Sequence, residues 1–303
     1  MATVTHTYVN PIADDPASAL AGETLPSHWN AQHVVTGVRD QLTADRTFYV
    51  RTDGSDSNTG LVNTAGGAFL TVQKAINEFA KLDGNGFRFI IQIGAGTFSG
   101  NIDTSTPFVG NGGFTAELSI FGALFISGVD AAGSTVLTSS SGATLNISAN
   151  IIVLKNLELQ AASVGMYIYG TGTVYFESGV RIGACGNVQI SPLTGGSLFV
   201  FVPYGIVGGG YSHVYFDGQG IMQHFASPAV CTGVLSFTYF MFATGPCYYE
   251  GNAGFDTSGA TVTGTRYSIS AGGVLNTFGG GPNYFPGDVA GSGGTTTGDG
   301  FYG

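Results

Sequence analysis

Two pairs of acidic residues are the side chains in this sequence whose types and spacing best suit catalysis. Glu158 and Glu177 are 19 residues apart, close to the length of one coil in a stacked repeat, and Asp217 and Glu250 form a second pair. Glycoside hydrolysis needs two carboxyl groups roughly 5–9.5 Å apart. Acidic residues at coil spacing also arise on solvated faces, and a polysaccharide lyase needs a base beside an acidic cluster, whereas the basic residues here are scattered. The sequence therefore predicts no catalytic residue, and an enzyme is the less favoured alternative.

Histidine and aspartate side chains raise two further possibilities. His213 and His224 flank Asp217 and could form an acid–base site, although ordinary surface or interface histidines are the more frequent outcome. The segment Asp56–Gly60 has the polar character of the start of a calcium loop, and Asp53 precedes it. The bidentate acid expected twelve positions along is absent, so we expect a loop held by side chain–backbone hydrogen bonds. No metal or cofactor is predicted.

Aromatic residues are concentrated between positions 198 and 249. A coil core has little room for so many rings, so some are expected on outer faces. Such a surface would be either a glycan-binding site or an interface between trimer subunits, and the sequence leaves both open. The tyrosines assigned to it are Tyr204, Tyr211, Tyr215, Tyr239, Tyr248 and Tyr249.

The segment Tyr49–Phe98 contains the elements that must begin the fold. A strand leads into a polar loop, and the apolar spacing over Phe69–Leu82 predicts one amphipathic helix. Thr71 is the expected N-cap and Gly84 the expected C-terminal stop. Phe89–Ile93 follows as the first strand expected to be fully buried.

After this helix the chain contains only short apolar runs separated by Gly, Asn, Ser and Thr. Parallel β-helices use three short strands per coil of roughly 20–25 residues, so about eight or nine coils would fit. The sequence therefore predicts an all-β, single-stranded solenoid whose open end is covered by an N-terminal capping helix. The runs are Glu117–Phe121, Val136–Thr138, Thr144–Ile147, Ile151–Leu159, Met166–Tyr169, Thr173–Phe176, Val188–Ile190 and Leu198–Val202.

The first 45 residues have a different character. They contain the only tryptophan, Trp29, and three of the five histidines, including His28 and His33. No strong hydrophobic period is present, which predicts an extended arm that a partner must order. Large aromatic side chains dominate interface energetics, so we expect Trp29 to be buried in that partner; contact with the chain's own β-helix is the alternative.

Composition excludes several classes of protein. Hydrophobic residues make up 43% of the 303 residues and charged residues only 9%, which is not the signature of disorder. The net charge of −10 makes nucleic acid an unexpected partner. No apolar run long enough for a transmembrane helix and no secretory signal is apparent. Cys185, Cys231 and Cys247 are expected to be buried free thiols, with a Cys231–Cys247 disulfide as the alternative.

Three parts of the chain resemble known families. The segments Tyr49–Gly60, Phe69–Leu82 and Ile91–Phe98 resemble the beginning of right-handed parallel β-helix domains of the pectate-lyase-like superfamily. Pro26–His33 resembles an N-terminal element of bacteriophage and prophage tail proteins. Asn283–Gly287, with the Gly/Thr-rich tail after it, resembles the ends of such proteins from α-proteobacterial phages.

The resemblance implies a homotrimeric virion protein, a fibre or spike that is assembled in the host cytoplasm and acts outside the cell. Residues 1–45 would form the virion-attachment arm, with contacts from His28, Trp29, Asn30 and His33. Residues 46–98 would hold the beginning of the β-helix and its capping helix, 99–278 the β-helix, and 279–303 a tail or terminal cap. The expected ligand is host cell-surface polysaccharide, with neither nucleic acid nor membrane insertion. A polysaccharide depolymerase and a capsid decoration or head fibre protein are the alternatives.

Overall fold

The computed structural model describes residues 2–4, 13–15, 17, 25–30, 33–35, 39–110, 124–129, 134–293 and 301–302. Strands account for 50% of the structure and helices for 5%. Neither helix in these ranges is long and apolar enough to cross a membrane. The predicted strand Glu117–Phe121 lies outside the described residues.

Two helices and 26 strands make up the described structure. The helices are α1 (Pro26–Asn30) and α2 (Val72–Phe79). The strands are β1 (Ala2–Val4), β2 (His33–Val35), β3 (Asp40–Gln41), β4 (Arg46–Val50), β5 (Leu82–Asp83), β6 (Phe89–Ile93), β7 (Gly96–Ser99), β8 (Ile102–Asp103), β9 (Leu124–Ser127), β10 (Thr135–Thr138), β11 (Ala143–Ile147), β12 (Ile151–Lys155), β13 (Glu158–Ala161), β14 (Val164–Ile168), β15 (Thr173–Phe176), β16 (Arg181–Cys185), β17 (Val188–Pro192), β18 (Ser197–Val200), β19 (Gly205–Ile206), β20 (Gly210–Asp217), β21 (Ile221–His224), β22 (Ala229–Thr244), β23 (Tyr248–Gly251), β24 (Phe255–Ser270), β25 (Val274–Asn276) and β26 (Phe301–Tyr302).

The strands stack as a parallel β-helix, which confirms the predicted fold class. Each central turn contributes one strand to a ten-stranded sheet and two strands to a twelve-stranded sheet, as β12, β13 and β14 do. The long strand β22 pairs with both β19 and β20 and so joins the two halves of the twelve-stranded sheet. Within the described residues, only β1 and β2 pair antiparallel.

The solenoid has about six turns, fewer than the eight or nine predicted, and further strands extend its ten-stranded sheet at the ends. Thr173 pairs with Ser197, 24 residues further along, which agrees with the predicted coil length. Arg46 pairs with Phe89, 43 residues further along, because the polar loop and α2 lie between them. The first turns therefore use more chain than the later ones.

The core is built from ladders of apolar side chains, one from each turn. Leu154 pairs with Phe176 and Phe176 with Val200, and each of the three is at most 4% exposed. Full burial of such a side chain is worth roughly 1.5–3 kcal/mol. Strand β6 alternates between buried and half-buried residues, so the expectation that it is fully buried was wrong. Its alternate side chains face out of the solenoid.

Helix α2 begins as predicted but is shorter. The Thr71 hydroxyl accepts a hydrogen bond of 3.2 Å from the Lys74 N–H, which confirms the N-cap. The helix ends at Phe79, before the predicted stop at Gly84. The reason is that β5, directly after the helix, pairs with β3, so the backbone is already extended there.

Helix α2 packs at the end of the ten-stranded sheet, where β4 is the last strand. Phe79 is 0% exposed, with its ring centroid 4.4 Å from that of Phe48 and 4.6 Å from that of Phe89. This position fits a cap, and the capping function itself stays a prediction.

Two terminal segments contribute to the core. Leu42, inside the predicted arm, is 3% exposed, and its N–H donates to the Asp83 carbonyl oxygen at 2.9 Å. Leu42 therefore belongs to the folded part of the protein, and the arm that would precede it stays a prediction. Near the other end, Phe285 is 0% exposed, with its ring centroid 5.3 Å from that of Tyr249 and 5.9 Å from that of Phe255. The segment around Phe285 is therefore folded against the core.

Candidate functional site

Four aromatic side chains form a surface cluster on β20 and β22, which we call the tyrosine patch: Tyr211, Tyr215, Tyr239 and Phe242. The Phe242 ring stacks on those of Tyr239 and Tyr215, with centroid distances of 4.8 and 5.2 Å. The Tyr211 ring meets that of Tyr239 edge to face at 5.8 Å. Tyr211 is 39% exposed and the other three are half-buried. The structure thus brings together three of the six predicted tyrosines.

The tyrosine patch has a rigid base. The side chain of Tyr215 packs on a small buried cluster formed by Ala143, Val164 and Val188, one from each successive turn. Its hydroxyl lies 3.3 Å from the hydroxyl of Thr244. Binding groups on regular strands are positioned more firmly than groups on loops. The patch therefore offers fixed ring faces and phenolic hydroxyls to a ligand.

The other three predicted tyrosines lie elsewhere. Tyr204 is 2% exposed and Tyr249 is 0% exposed, so their assignment to a glycan or subunit surface was wrong. Both rings point into the core, where their hydroxyls meet histidines. Tyr248 is half-buried on β23, in the ten-stranded sheet, and is not part of the patch.

His213 belongs to a hydrogen-bonded network inside the solenoid. The Gln189 amide nitrogen donates to the carbonyl oxygens of Gly183 at 2.7 Å and Gly208 at 2.6 Å. The Gln189 carbonyl oxygen can only accept, so His213 Nδ1 donates to it at 2.6 Å. His213 Nε2 then accepts from the Tyr204 hydroxyl at 2.7 Å, which identifies the neutral Nδ1–H tautomer.

Burial keeps both core histidines neutral. Burial, with a smaller effect from nearby His224, lowers the pKa of His213 to about 3. Burial also lowers the pKa of His224 to about 4, partly offset by its hydrogen bond to the Ser227 carbonyl oxygen at 3.1 Å. Both side chains are 0% exposed, whereas Asp217 is exposed. The interpretation of these histidines as surface groups was therefore wrong, and they form no acid–base site with Asp217.

The predicted carboxylate pairs are not assembled. In the stack, Glu158 pairs with Arg181 rather than with Glu177, and its carboxylate binds the Arg181 guanidinium at 3.1 Å. Glu177 instead binds Lys155 at 3.1 Å. The true coil spacing at Glu158 is 23 residues, not 19, which explains the error.

The second pair is also separated. Asp217 ends β20 in the twelve-stranded sheet, whereas Glu250 lies on β23 in the ten-stranded sheet. The Glu250 carboxylate accepts a hydrogen bond of 3.1 Å from the Gln223 side chain. Neither acid is placed to act with the other.

The polar loop before α2 is held by its own side chains. The Asp56 carboxylate accepts from the N–H groups of Leu70 and Thr71, each at 2.9 Å. Asp53 binds Arg51 at 2.8 Å, and Asn58 donates to two loop carbonyl oxygens. These bonds agree with the predicted side chain–backbone loop and leave Asp53 and Asp56 engaged with protein groups.

The potential metal ligands and the thiols of the described residues lie apart from one another. Among the described residues, no group of three or more His, Cys, Asp or Glu side chains is placed to hold a metal ion. Cys185, Cys231 and Cys247 are buried free thiols, and burial raises the pKa of each to between about 11 and about 12. Such thiols are poor nucleophiles.

The predicted attachment residues stand at the start of the chain. His28 is an exposed residue of α1, which also contains Trp29 and Asn30. His33 begins β2 and pairs with Val4 of β1. Their part in attachment stays a prediction.

The structure contains a second aromatic surface, which the sequence analysis did not distinguish from the first. Rings on the ten-stranded sheet and its flanking turns form what we call the phenylalanine row: Tyr175, Phe199, Phe201, Phe225 and Phe278. The Tyr175 and Phe199 rings stack at 5.1 Å, and Phe201 stacks between Phe199 and Phe225 at 6.3 and 6.4 Å. Phe201 is 39% exposed and Phe278 is 57% exposed. A recurrence of aromatic residues every 24 residues, as at Tyr175 and Phe199, is the signal that could have revealed it.

Comparison of the chain with protein-family models, with curated proteins and with solved structures finds no match in any of the three. A β-helix hosts both binding proteins and enzymes. The function must therefore be argued from the surfaces themselves.

Proposed function

We propose that this chain is a virion structural protein, a β-helical fibre or spike of a phage or phage-like particle that binds a host surface glycan. In this proposal, residues 1–45 attach the protein to other virion proteins, with Trp29 as the anchor and His28, Asn30 and His33 beside it. The protein acts as a homotrimer, is assembled in the host cytoplasm, and meets its ligand outside the cell.

The observation that carries the glycan part is the tyrosine patch. Sugar rings have apolar faces that suit aromatic rings, and their hydroxyl groups suit phenolic hydroxyls. Tyr211 and Tyr239 offer both kinds of contact on adjacent strands. Ligand sites typically combine aromatic walls with a few polar groups in this manner.

Support for the virion part comes from the sequence resemblance at both ends of the chain and at the beginning of the β-helix. The net charge of −10 argues against nucleic acid as the ligand. A capsid decoration or head fibre protein differs from a tail protein only in what residues 1–45 contact, so it is kept as an alternative.

A depolymerase on the same scaffold is the second candidate function. Such an enzyme needs two carboxyl groups facing one glycosidic bond. Glu158 and Glu177, the best candidates by spacing, each form an ion pair with a different basic residue. The separation of these two carboxylates therefore favours binding over cleavage.

The test measures binding to a panel of bacterial capsular and O-antigen polysaccharides, together with the release of new reducing ends. We expect binding without new reducing ends, and a loss of affinity of about tenfold or more, or at least ~1.4 kcal/mol, for Tyr211→Ala or Tyr239→Ala. Tyr211→Phe keeps the ring and should lose less. Tyr169→Ala, a half-buried tyrosine in the turn after β14, is the matched control.

Two results would overturn this proposal. New reducing ends would make the protein a depolymerase. Unchanged binding by both alanine variants would move the glycan site away from the tyrosine patch.

A further inference from the structure

The outer face of the ten-stranded sheet has an apolar stripe across its first and central turns, which becomes polar at Gln223, Glu250 and Asn276. One column of outward residues runs through five successive turns in register: Ile90, Phe125, Val153, Tyr175 and Phe199. Val153 is only 1% exposed, and the other four side chains are half-buried. The phenylalanine row continues this surface towards the C-terminal turns. Ile221, Tyr248 and Val274 form a further column in register on the same face. An apolar surface this continuous usually marks an interaction site.

The same face carries little charge. From β9 to β25 its outward columns contain three ionised side chains. Two of them, Lys155 and Glu177, neutralise each other across adjacent turns at 3.1 Å. Glu250, the third, is hydrogen-bonded to Gln223. Two copies with a net charge of −10 each would repel one another at most surfaces, and this face lets them meet with little repulsion.

The face is large enough for a stable contact. Ten strands at a spacing of ~4.8 Å extend over roughly 43 Å, and the four residues that most of these strands contain span roughly 13 Å. The projected area of the strands is therefore about 560 Å², to which the phenylalanine row on the flanking turns adds, so the face reaches the size of a small protein–protein interface.

We infer that copies of this chain associate side by side through the outer face of the ten-stranded sheet, with the phenylalanine row at the centre of the contact. The inference deepens the proposed function and rests on it only in expecting several copies of the chain in each fibre or spike. It assigns the two aromatic surfaces different tasks. The row is mostly phenylalanine and suits a dry protein contact, whereas the tyrosine patch presents hydroxyls and suits a polar ligand.

A second copy is the occupant that the face fits best. The rings repeat at the spacing of the turns, so an identical face presents rings at the same spacing along its whole length. The contact requires no charged partner, because Lys155 is paired with Glu177, and Arg88, whose guanidinium lies 5.6 Å from the Phe125 ring centroid, is paired with Asp45. A different protein covering the face would leave the purified chain monomeric.

The first test measures the mass of the full chain in solution by light scattering. We expect the wild-type protein to have a multiple of the 31.0 kDa chain mass and the double variant Phe201→Glu/Phe278→Glu to fall to the single-chain mass. Circular dichroism and the melting temperature establish that the variant is folded. Val234→Glu, at a side chain that is 82% exposed on β22, should keep the wild-type mass. A monomeric wild type, or a folded double variant with unchanged mass, would overturn the inference.

The second test uses cross-linking and does not depend on the charged variants. Ser197→Cys places a thiol on the outer face of β18, and Ser236→Cys places one on β22, with nearly the same change in shape. The three native cysteines are buried, so they give little background. A short bis-maleimide should join two copies of the Ser197→Cys protein but not of the Ser236→Cys protein. Equal cross-linking of the two, or none at Ser197→Cys, would contradict the proposed contact.

Polysaccharide binding, measured on the same samples, separates this inference from the proposed function. A wild-type monomer that binds polysaccharide through the tyrosine patch removes the interface and leaves the glycan function. An oligomer that cross-links at Ser197→Cys and binds no polysaccharide keeps the interface and removes the glycan function.

Discussion

His213 shows how a polar side chain is accommodated in the apolar core of the solenoid. His213 is 0% exposed, yet both ring nitrogens have partners, Gln189 on one side and Tyr204 on the other. Gln189 in turn anchors the network to two backbone carbonyl oxygens. A buried polar group costs little only when it is fully hydrogen-bonded. The network therefore fixes the relative positions of adjacent turns.

Acid should destabilise the protein through these histidines. The folded-state pKa of His213, about 3, lies below the unfolded value of 6.5, so the unfolded state binds more protons as the pH falls through this range. Stability should therefore fall from about pH 6.5 downwards, and His213 alone accounts for about 2 kcal/mol at pH 5. His213→Phe should shrink the difference in unfolding free energy between pH 7 and pH 5 by this amount, as measured by urea unfolding.

A neighbouring apolar variant provides the control. Val214 is buried on the same strand, and Val214→Ala should lower stability by a similar amount at both pH values. If His213→Phe left the pH dependence at the wild-type size, the buried neutral histidine would not be its source.

Among the acidic residues of the loop before α2, Asp56 is expected to contribute most to the stability of the fold. Its carboxylate binds the Leu70 and Thr71 N–H groups and the Thr71 hydroxyl. Asp56→Ala should cost about 1–3 kcal/mol in thermal or urea unfolding, because these donors lose their partner just before the helix. Asp53→Ala, which removes an exposed ion pair with Arg51, should have a smaller effect. Equal losses of stability for the two variants would show that the Asp56 hydrogen bonds stabilise the fold no more than the exposed Asp53 ion pair does.

At the scale of elements, sequence predicted the central turns well. The predicted run Ile151–Leu159 forms β12 and β13, with Asn156 at φ 52° between them. Asparagine adopts this left-handed conformation more readily than most residues. Thr173–Phe176 was predicted with the bounds that β15 has. Local turn chemistry and apolar runs were sufficient for these elements.

The direction in which the aromatic side chains point could not be predicted from sequence. Strands β22 and β24 are each 16 residues long and pair with register shifts, so inward and outward positions do not follow a single alternation. Tyr239 lies in the surface patch, while the next residue, Phe240, is 1% exposed. Whether a side chain points into the core depends on which strands pair with one another. That pairing joins residues far apart in the chain, so a short stretch of sequence does not reveal it.

Helix α2 is expected to close the first turn of the core. Phe79→Asp would bury a carboxylate between Phe48 and Phe89, at a cost of more than about 4 kcal/mol. The melting temperature should fall substantially. Asn77→Asp, on the exposed side of the same helix, is the matched control and should change it little. An unchanged melting temperature for Phe79→Asp would mean that α2 is not a cap.

For the whole molecule, we expect the C-terminal end of the core to depend on the side chain of Phe285. Phe285 is 0% exposed and contacts Tyr249 of β23 and both Phe255 and Tyr267 of β24. Phe285→Ala should lower the free energy of unfolding by about 3–5 kcal/mol, measured by urea titration. Val289→Ala, at a residue that is 52% exposed, should have little effect. Similar losses for the two would show that residues around Phe285 do not close the core.

We expect the residues needed for attachment to end by residue 38, and the residues needed for stable folding to begin before residue 45. Leu42 is 3% exposed, its N–H donates to Asp83, and its carbonyl oxygen accepts from the Asn85 side chain at 3.2 Å. Deletion of residues 1–38 should therefore leave the melting temperature unchanged, whereas deletion of 1–45 should lower it, because loss of a buried leucine side chain alone costs about 2–5 kcal/mol. Leu42→Ala in the shorter deletion should reproduce most of that loss.

The two deletions also test the attachment function without confusing it with stability. Both remove Trp29, so under the proposed function both should fail to join the particle, and only the longer one should be destabilised. A 1–38 deletion that is fully stable and still incorporated would place the attachment surface on the β-helix itself. The position of Leu42 makes the distinction possible, since a cut at residue 45 would damage the core and the arm together.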